Sequence, residues 1–148
     1  RQNISMGNLG EFNYNIRSGI FFEKKDIAFM DYLHANGNQL KLAPSNRNSS
    51  FGLLNYYKFS TNDKYAEVHL EHNFKGRLLR NIPLLNTLNF HVVANTKRLF
   101  TGGRKPYSEF SLGLDNIGIG KWRFLRIDYV KSNFNGKKGD GILFGISF

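Results

Sequence analysis

Hydrophobic and polar residues alternate with a period of two along much of the chain, most clearly over residues 64–74, KYAEVHLEHNF. One face of this stretch carries Ala66, Val68, Leu70, His72 and Phe74. The opposite face carries Tyr65, Glu67, His69, Glu71 and Asn73. Because successive side chains of a β-strand point to opposite sides, this alternation predicts a strand with one apolar and one polar face.

The same alternation recurs along the chain and predicts an all-β fold. In YSEFSLGLDNI, for example, Phe110 and Leu112 fall on the face opposite to Glu109. Turn-rich sequences such as STND, TGGRKP and NGKKGDG separate the alternating stretches. These patterns predict eight strands, at residues 10–22, 27–34, 50–60, 64–74, 88–99, 107–115, 121–132 and 140–148.

Two segments depart from the strand pattern. The sequence ANGNQLKLAPSNRNSS predicts a long loop over residues 35–49. The sequence GRLLRNIPLLNTLN predicts a short helix or an irregular amphipathic segment, and residues 75–88 are called the hook below. Pro83 is expected at the first turn of such a helix, or as a residue that interrupts it.

Composition narrows the class of protein. Lys and Arg outnumber Asp and Glu by 21 to 11, 15 % of the 148 residues are aromatic, and no cysteine is present. A small domain without disulfides needs another source of stability, and a membrane is one. No apolar run is long enough for a transmembrane helix, which excludes a helical membrane protein but not a β-barrel. Since the chain begins with Arg1 and shows no signal peptide, we predict a piece of a longer protein.

Alternation alone does not separate a soluble β-sandwich from a transmembrane barrel, because both have one apolar and one polar face. Two features favour the barrel. The polar faces are dense in charge, as in the Glu67, His69 and Glu71 series. Aromatic and basic residues also mark the predicted strand ends, as in the girdles at membrane interfaces. These end residues are Tyr65, Phe74, Tyr107, Trp122, Arg123, Tyr129 and Lys131.

The final strand is a third feature that favours the membrane. It begins at Gly141 and places apolar residues at alternate positions up to the last residue. These residues are Ile142, Phe144, Ile146 and Phe148. Such an ending resembles the terminal strand that the outer-membrane insertion machinery reads. We therefore predict one domain, residues 1–148, that is an antiparallel transmembrane β-barrel. It is either closed by these eight strands, the last pairing with the first, or the C-terminal part of a larger barrel.

Polar residues of several predicted strands are expected to meet inside this barrel. We predict a lumenal polar network of Glu67, His69, Glu71, Glu109, Asp115, Arg126 and Asp128. A metal site is the less favoured interpretation, because residues at i, i+2 and i+4 of a strand spread too far for one ion. An enzyme is also less favoured, because no Gly-x-Ser-x-Gly or comparable signature accompanies the serines and histidines. No catalytic residue, metal ligand or cofactor is predicted.

Several motifs resemble one family. They are the Tyr65–Phe74 strand, the Leu78–Leu85 stretch, the Gly113–Ile117 and Phe124–Tyr129 strands, and FMDYLHANGNQ within residues 29–39. The chain is similar to the C-terminal region of an outer-membrane β-barrel family of Bacteroidota whose function is unassigned. Full-length members of that family usually carry a carboxypeptidase-regulatory-like domain ahead of the barrel. The resemblance covers most of residues 27–148 and implies location and architecture, not an activity.

The expected function is therefore structural, or one of transport or envelope assembly, in the bacterial outer membrane. The main alternative is a soluble β-sandwich or a lipocalin-like binder. If the C-terminus is periplasmic, the basic loops lie outside, while the 35–49 loop and the hook lie on the periplasmic side. We predict contacts to lipopolysaccharide phosphates by Lys24, Lys25, Arg104, Lys105, Lys137 and Lys138. Other expected partners are membrane lipid, the insertion machinery, envelope proteins and the rest of its own chain, but not nucleic acid.

Overall fold

The structure, a computed structural model, describes residues 2–22, 27–43, 47–83 and 85–146, and its main feature is one antiparallel sheet. The sheet has seven strands in the order of the sequence, so each strand pairs with the strands before and after it. The strands are β1 (Gln2–Ser5), β2 (Glu11–Gly19), β3 (Tyr65–Asn73), β4 (His91–Thr101), β5 (Tyr107–Ile119), β6 (Trp122–Phe134) and β7 (Lys137–Ile146). The prediction of an all-β, antiparallel fold is confirmed.

Helical structure is minor in this protein. One α-helical turn, α1 (Leu85–Leu88), lies in the hook, and 3-10 turns occupy Gly7–Leu9, Phe29–Asp31 and Arg47–Ser49. In the part of the chain that the structure describes, no helix has the length and apolar character needed to cross a membrane.

Six of the eight predicted strands are found, with ends shifted by a few residues. The predicted strands at 27–34 and 50–60 are wrong, because these residues lie in the connection between β2 and β3. Their aromatic residues imitate a strand, but two of them, Phe51 and Phe59, pack onto the sheet instead of joining it. The structure also adds β1, which the alternation did not indicate because its four residues contain one large apolar side chain, Ile4.

The connection from residue 20 to residue 64 folds over one face of the sheet, which we call the polar face. Four apolar residues of this connection are buried there, namely Ala35, Phe51, Leu54 and Phe59. They pack against three sheet residues, Leu99, Tyr107 and Phe134. The rings of Phe59 and Phe134 meet edge to face, with their centroids 4.8 Å apart. The hydrophobic core therefore lies between the connection and the polar face.

The other face of the sheet, the apolar face, is left uncovered by the described residues. Large apolar side chains stand exposed along β2 and β4 to β7. They are Ile16, Phe100, Phe110, Leu112, Leu114, Leu125, Ile127, Tyr129, Ile142, Phe144 and Ile146. The side chains of Leu112 and Ile142 are each 50 % exposed. This pattern reverses that of a soluble sheet, in which the apolar face packs on the core and the polar face meets water.

The two ends of the sheet differ in their connections. One end, the connection end, carries the 20–64 connection and the turns at 102–106 and 135–136. The other, the hook end, carries the turn at 6–10, the hook and the last residues of β7. The prediction that the 35–49 loop lies at the hook end is therefore wrong. That loop belongs to the connection that starts and finishes at the opposite end, because β2 and β3 pair directly.

The sheet is open, so the prediction that the last strand closes a barrel with the first is also wrong for the described residues. β1 and β7 form the two edges and do not pair with each other. Residues 41–43 of the connection lie beside β7 instead. Leu42 forms a parallel bridge with Phe144. The amide of Ala43 donates to the Phe144 carbonyl at 2.6 Å, and the amide of Phe144 donates to the Lys41 carbonyl at 2.8 Å.

Candidate functional site

All seven residues of the predicted polar network lie on the polar face. They come from three strands: Glu67, His69 and Glu71 from β3, Glu109 and Asp115 from β5, and Arg126 and Asp128 from β6. The strand register brings residues of different strands side by side. For example, Lys97 of β4 lies opposite His69 of β3 on one side and opposite Glu109 of β5 on the other. Six of the seven are buried, and Glu71 is nearly so. Buried charges are stable in a fold only when they are paired or hydrogen-bonded.

Glu109 holds the backbone of residues 48–54, which we call the crossing segment because they run across the strands. Its Oε2 accepts a hydrogen bond from the Gly52 amide at 2.7 Å, and its Oε1 accepts one from the Leu53 amide at 2.8 Å. The Tyr107 hydroxyl donates to the same Oε1 at 2.6 Å. The approach is close, since a Cβ on Gly52 would meet Leu143 Cδ1 at 2.8 Å. One buried carboxylate thus binds two consecutive backbone amides.

Three further side chains of the polar face bind carbonyl groups of the crossing segment. Asn15 Nδ2 donates to the Asn48 carbonyl at 2.8 Å. Arg17 Nη2 donates to the Ser49 carbonyl at 3.3 Å, and Lys97 Nζ donates to the Ser50 carbonyl at 2.8 Å. Together with Glu109, side chains from β2, β4 and β5 satisfy five backbone groups of one short segment. Such satisfaction allows irregular backbone to be buried against a sheet.

Arg126 is the centre of a second charged group on the polar face. Its Nε and Nη2 donate to the Asp128 carboxylate at 2.8 to 3.0 Å. Its Nη1 donates to Glu71 Oε2 at 3.1 Å. The Asn95 amide completes the group when it is oriented to satisfy both of its ends. It then donates to Glu71 Oε2 at 2.9 Å and accepts from Arg126 Nη2 at 3.0 Å.

A small cavity lies between Glu109 and the Arg126 group. Its volume of about 20 Å³ has room for one water molecule. Polar and apolar side chains both reach it. The cavity is lined by Ala43, Gly52, Asn95, Lys97, Glu109, Ser111, Arg126, Asp128, Val130 and Leu143. This volume is too small for an organic substrate.

Glu67 and His69 form the least satisfied part of the polar face. Each side chain is 1 % exposed, and His69 Nε2 lies 3.6 Å from Glu67 Oε2. Arg17 forms a short ion pair with Glu67, and the Phe51 ring packs on the His69 ring with centroids 4.8 Å apart. Within the described residues, Glu67 Oε1 and both His69 nitrogens have no hydrogen-bond partner. Such buried polar atoms are usual sites of bound water.

The described residues contain no group of three or more His, Asp or Glu side chains placed to bind a metal ion. The polar face instead carries the ion pair of Arg17 with Glu67 and the ion pairs of Arg126. The crossing segment covers part of this face.

The other predicted site residues lie outside the polar face. Gly141 to Ile146 of the predicted insertion signal belong to β7. Ile142, Phe144 and Ile146 are exposed on the apolar face, whereas Phe148 lies outside the described residues. Lys24 and Lys25 also lie outside them. The remaining four predicted basic residues are at the connection end: Arg104 and Lys105 in the turn, and Lys137 and Lys138 in β7.

The sequence prediction missed five residues that hold the polar face together. They are Asn15, Arg17, Asn95, Lys97 and Tyr107. The period of two in β2 puts Asn15 and Arg17 on the side opposite to Tyr14 and Ile16. The same period in β4 puts Asn95 and Lys97 together. The alternation gave no sign that these residues would bind another segment of the chain, because that segment is far away in the sequence.

Comparison with known proteins gives one match. The model described as "Family of unknown function (DUF5686) C-terminal domain" matches residues 1–114. The match includes the crossing segment and the hook, while β6 and β7 lie beyond it. Comparison with curated proteins and with solved structures gave no match.

Proposed function

Given that the chain belongs to the DUF5686 C-terminal-domain family, we propose that it forms part of the wall of a transmembrane β-barrel in a bacterial outer membrane. Its role is structural, or in transport or envelope assembly, and not enzymatic. The wider resemblance adds two expectations to this proposal: an origin in Bacteroidota and a carboxypeptidase-regulatory-like domain ahead of the barrel. The insertion machinery would then read residues 141–148.

The observation that carries the proposal is the reversed burial of the sheet. The apolar face has an uncovered row of large side chains, while Glu109, Arg126 and Asp128 are buried on the other face. In water, apolar area of this kind costs about 25 cal/mol per Å² relative to burial. In a bilayer the same face would meet lipid tails, as the outward face of a transmembrane barrel does. A soluble sandwich would cover the apolar face with a second sheet.

The open edges of the sheet add a requirement to the proposal. A strand edge in hydrocarbon leaves backbone groups without partners, so a sheet in a membrane must close on itself. β1 forms one edge, and residues 41–43 occupy part of the other, beside β7. We therefore propose that further strands of the same protein complete a barrel larger than this sheet.

The 20–64 connection fits the interior of such a barrel. It leaves the sheet at the end opposite to the last residues of β7, which is the outer side if the C-terminus is periplasmic. It then folds inward over the polar face, where Glu109 and Lys97 hold the crossing segment. A barrel filled in this way would have no open pore along this wall. The buried charges hold the segment in place, which favours a structural role over catalysis.

The basic residues of the connection end fit the outer surface. Arg104 and Lys105 lie in one turn there, and Lys137 and Lys138 begin β7. In this orientation they would meet lipopolysaccharide phosphates.

Membrane integration of the whole protein chain tests the proposal. We expect the chain to remain in the membrane fraction after washing with alkaline carbonate and to be released by detergent. In a gel, the folded protein should migrate differently before and after boiling, as closed barrels do. A peripheral outer-membrane protein should be released by carbonate and serves as the control. Release of the chain by carbonate, or a folded state in buffer without detergent, would contradict the proposal.

A further inference from the structure

An open groove lies at the hook end of the sheet, between the 6–10 turn and the hook. Its volume is about 790 Å³. Among the described residues that line it, three are cationic and none is a carboxylate. The lining residues are Gly7, Asn8, Gly10, Phe74, Lys75, Gly76, Arg77, Leu79, Arg80, Leu85, Asn86, Asn89 and Phe90. A groove with this lining is suited to an anionic ligand.

Among the described residues, two of the three cations have no carboxylate partner. Lys75 Nζ pairs with Glu11 Oε1 at 2.8 Å. Arg77 Nη1 donates to the Asn8 carbonyl at 3.1 Å. This hydrogen bond positions the side chain, but the neutral carbonyl does not neutralise its positive charge. Within the described part of the chain, neither Arg77 nor Arg80 forms an ion pair. Their positive charge attracts phosphate, and a guanidinium group also offers several donors in a planar fork.

The groove also has an apolar side that continues into the apolar face. Phe74 extends β3, since its amide donates to the Val92 carbonyl at 2.9 Å. Its ring contacts that of His72, a residue of the apolar face, with centroids 4.3 Å apart. Leu79 and Leu85 of the hook line the same groove. The site therefore joins uncompensated positive charge to apolar surface.

Side-chain hydrogen bonds connect both ends of the hook to neighbouring parts of the protein. Arg77 ties it to the 6–10 turn, as described above. At its other end, Arg123 donates to the Leu88 carbonyl. Asn116 Nδ2 donates to the neighbouring Asn89 carbonyl at 2.7 Å. Leu78 and Ile82 are exposed beside these cations, the combination found in segments that lie at membrane surfaces.

We infer that this groove binds the phosphate of an anionic phospholipid from the leaflet at the hook end. Arg77 and Arg80 contact the phosphate, and the lipid's glycerol and upper chains lie toward Phe74 on the apolar face. The inference rests on the proposed function, because the groove meets lipid only if the apolar face does. An amphiphile fits both parts of the site, whereas free phosphate fits only the cationic part.

Lipid retention tests the inference. The whole chain, purified in an uncharged detergent, is mixed with phosphatidylglycerol or phosphatidylcholine and stripped, and the retained lipid is counted by native mass spectrometry. We expect one retained phosphatidylglycerol and less phosphatidylcholine. Each basic residue that meets anionic lipid contributes about fivefold in affinity, so Arg77→Gln with Arg80→Gln should weaken retention by about thirtyfold.

Two variants control for folding and for charge. Arg77→Lys with Arg80→Lys keeps the charge and should keep most of the preference. Lys58→Gln with Lys64→Gln removes the same charge from exposed positions at the connection end and should leave the retained phosphatidylglycerol unchanged. Equal retention of both lipids, or equal loss in the connection-end variant, would overturn the inference.

The inference and the proposed function fail in different ways. Complete displacement of phosphatidylglycerol by inorganic phosphate would make the groove a phosphate site and overturn the lipid assignment. A chain that inserts into phosphatidylcholine vesicles but shows no preference for phosphatidylglycerol would refute the groove alone. A chain that does not insert into vesicles at all would refute the proposed function, and the inference with it.

Discussion

At the scale of residues, the protein places its charged side chains where a soluble domain would place its core. Glu109 makes the most contacts with the crossing segment, because both of its carboxylate oxygens accept backbone amides. The buried carboxylate of Glu109 therefore fixes the position of the backbone at Gly52 and Leu53. The sequence identified Glu109 as polar and inward-facing, but its partners Gly52 and Leu53 are more than 50 residues away. Local pattern carries no information about such distant pairs.

Glu109→Gln should loosen the crossing segment. The amide keeps the shape of the side chain but offers a donor where a backbone amide needs an acceptor. We expect the free energy of unfolding to fall by about 1–3 kcal/mol, measured by urea titration of the whole chain in detergent. Residues 48–54 should also become more sensitive to protease. Glu11→Gln, which removes one member of an exposed ion pair, should cost at most about 1 kcal/mol. Equal effects of the two substitutions would contradict the role of Glu109.

Arg126 and Asp128 should depend on each other. Arg126→Met leaves two buried carboxylates without their cation, and we expect a loss of about 3–5 kcal/mol in stability. Arg126→Met combined with Asp128→Leu should recover part of that loss, because it removes one of the two carboxylates, while Glu71 keeps only its contact with Asn95. The readout is again urea unfolding of each single variant and of the double variant. Additive losses in the double variant would show that the pair is not energetically coupled.

At the scale of elements, the period of two was a reliable guide wherever a strand was long. β3 was predicted to within one residue at each end because Ala66 to Phe74 alternate without interruption. The errors fall on the connection between β2 and β3. Phe51, Leu54 and Phe59 gave it a strand-like composition, yet their burial comes from packing on the polar face. Tertiary burial of this kind imitates strand propensity in the sequence.

Phe51→Ala tests whether the connection is an integral part of the fold. Phe51 is fully buried between His69 and Tyr107, with ring centroids 4.8 Å and 5.6 Å away. Loss of a buried Phe typically costs about 3–5 kcal/mol, so the urea midpoint should fall clearly. Phe29→Ala is the matched control, because Phe29 belongs to the same connection but is 54 % exposed. An unchanged midpoint for Phe51→Ala would mean that the connection covers the sheet only loosely.

At the scale of the whole molecule, the two faces of the sheet define the protein. Alternation assigned the side chains of β3 to two sides, and the structure has Glu67 and His69 of that strand buried on the polar face. The sequence did not predict that the sheet is open, since closure depends on which edges meet. It also placed the 35–49 loop at the wrong end of the sheet. This error followed from the two strands wrongly predicted at 27–34 and 50–60. The length and net charge of the chain gave no information about whether the sheet closes or where this loop lies.

The most direct test of the account is the environment of the apolar face in a lipid bilayer. The 148 residues contain no cysteine, so single cysteines at Leu112, Phe144 and Tyr57 can carry a fluorescent probe in the whole chain, with any other cysteines replaced. We predict that brominated lipid quenches the probes at Leu112 and Phe144, on the apolar face, but not the probe at Tyr57, in the exposed part of the connection. Unquenched probes at Leu112 and Phe144 that react with a membrane-impermeant reagent would show that this face meets water, which would contradict the account.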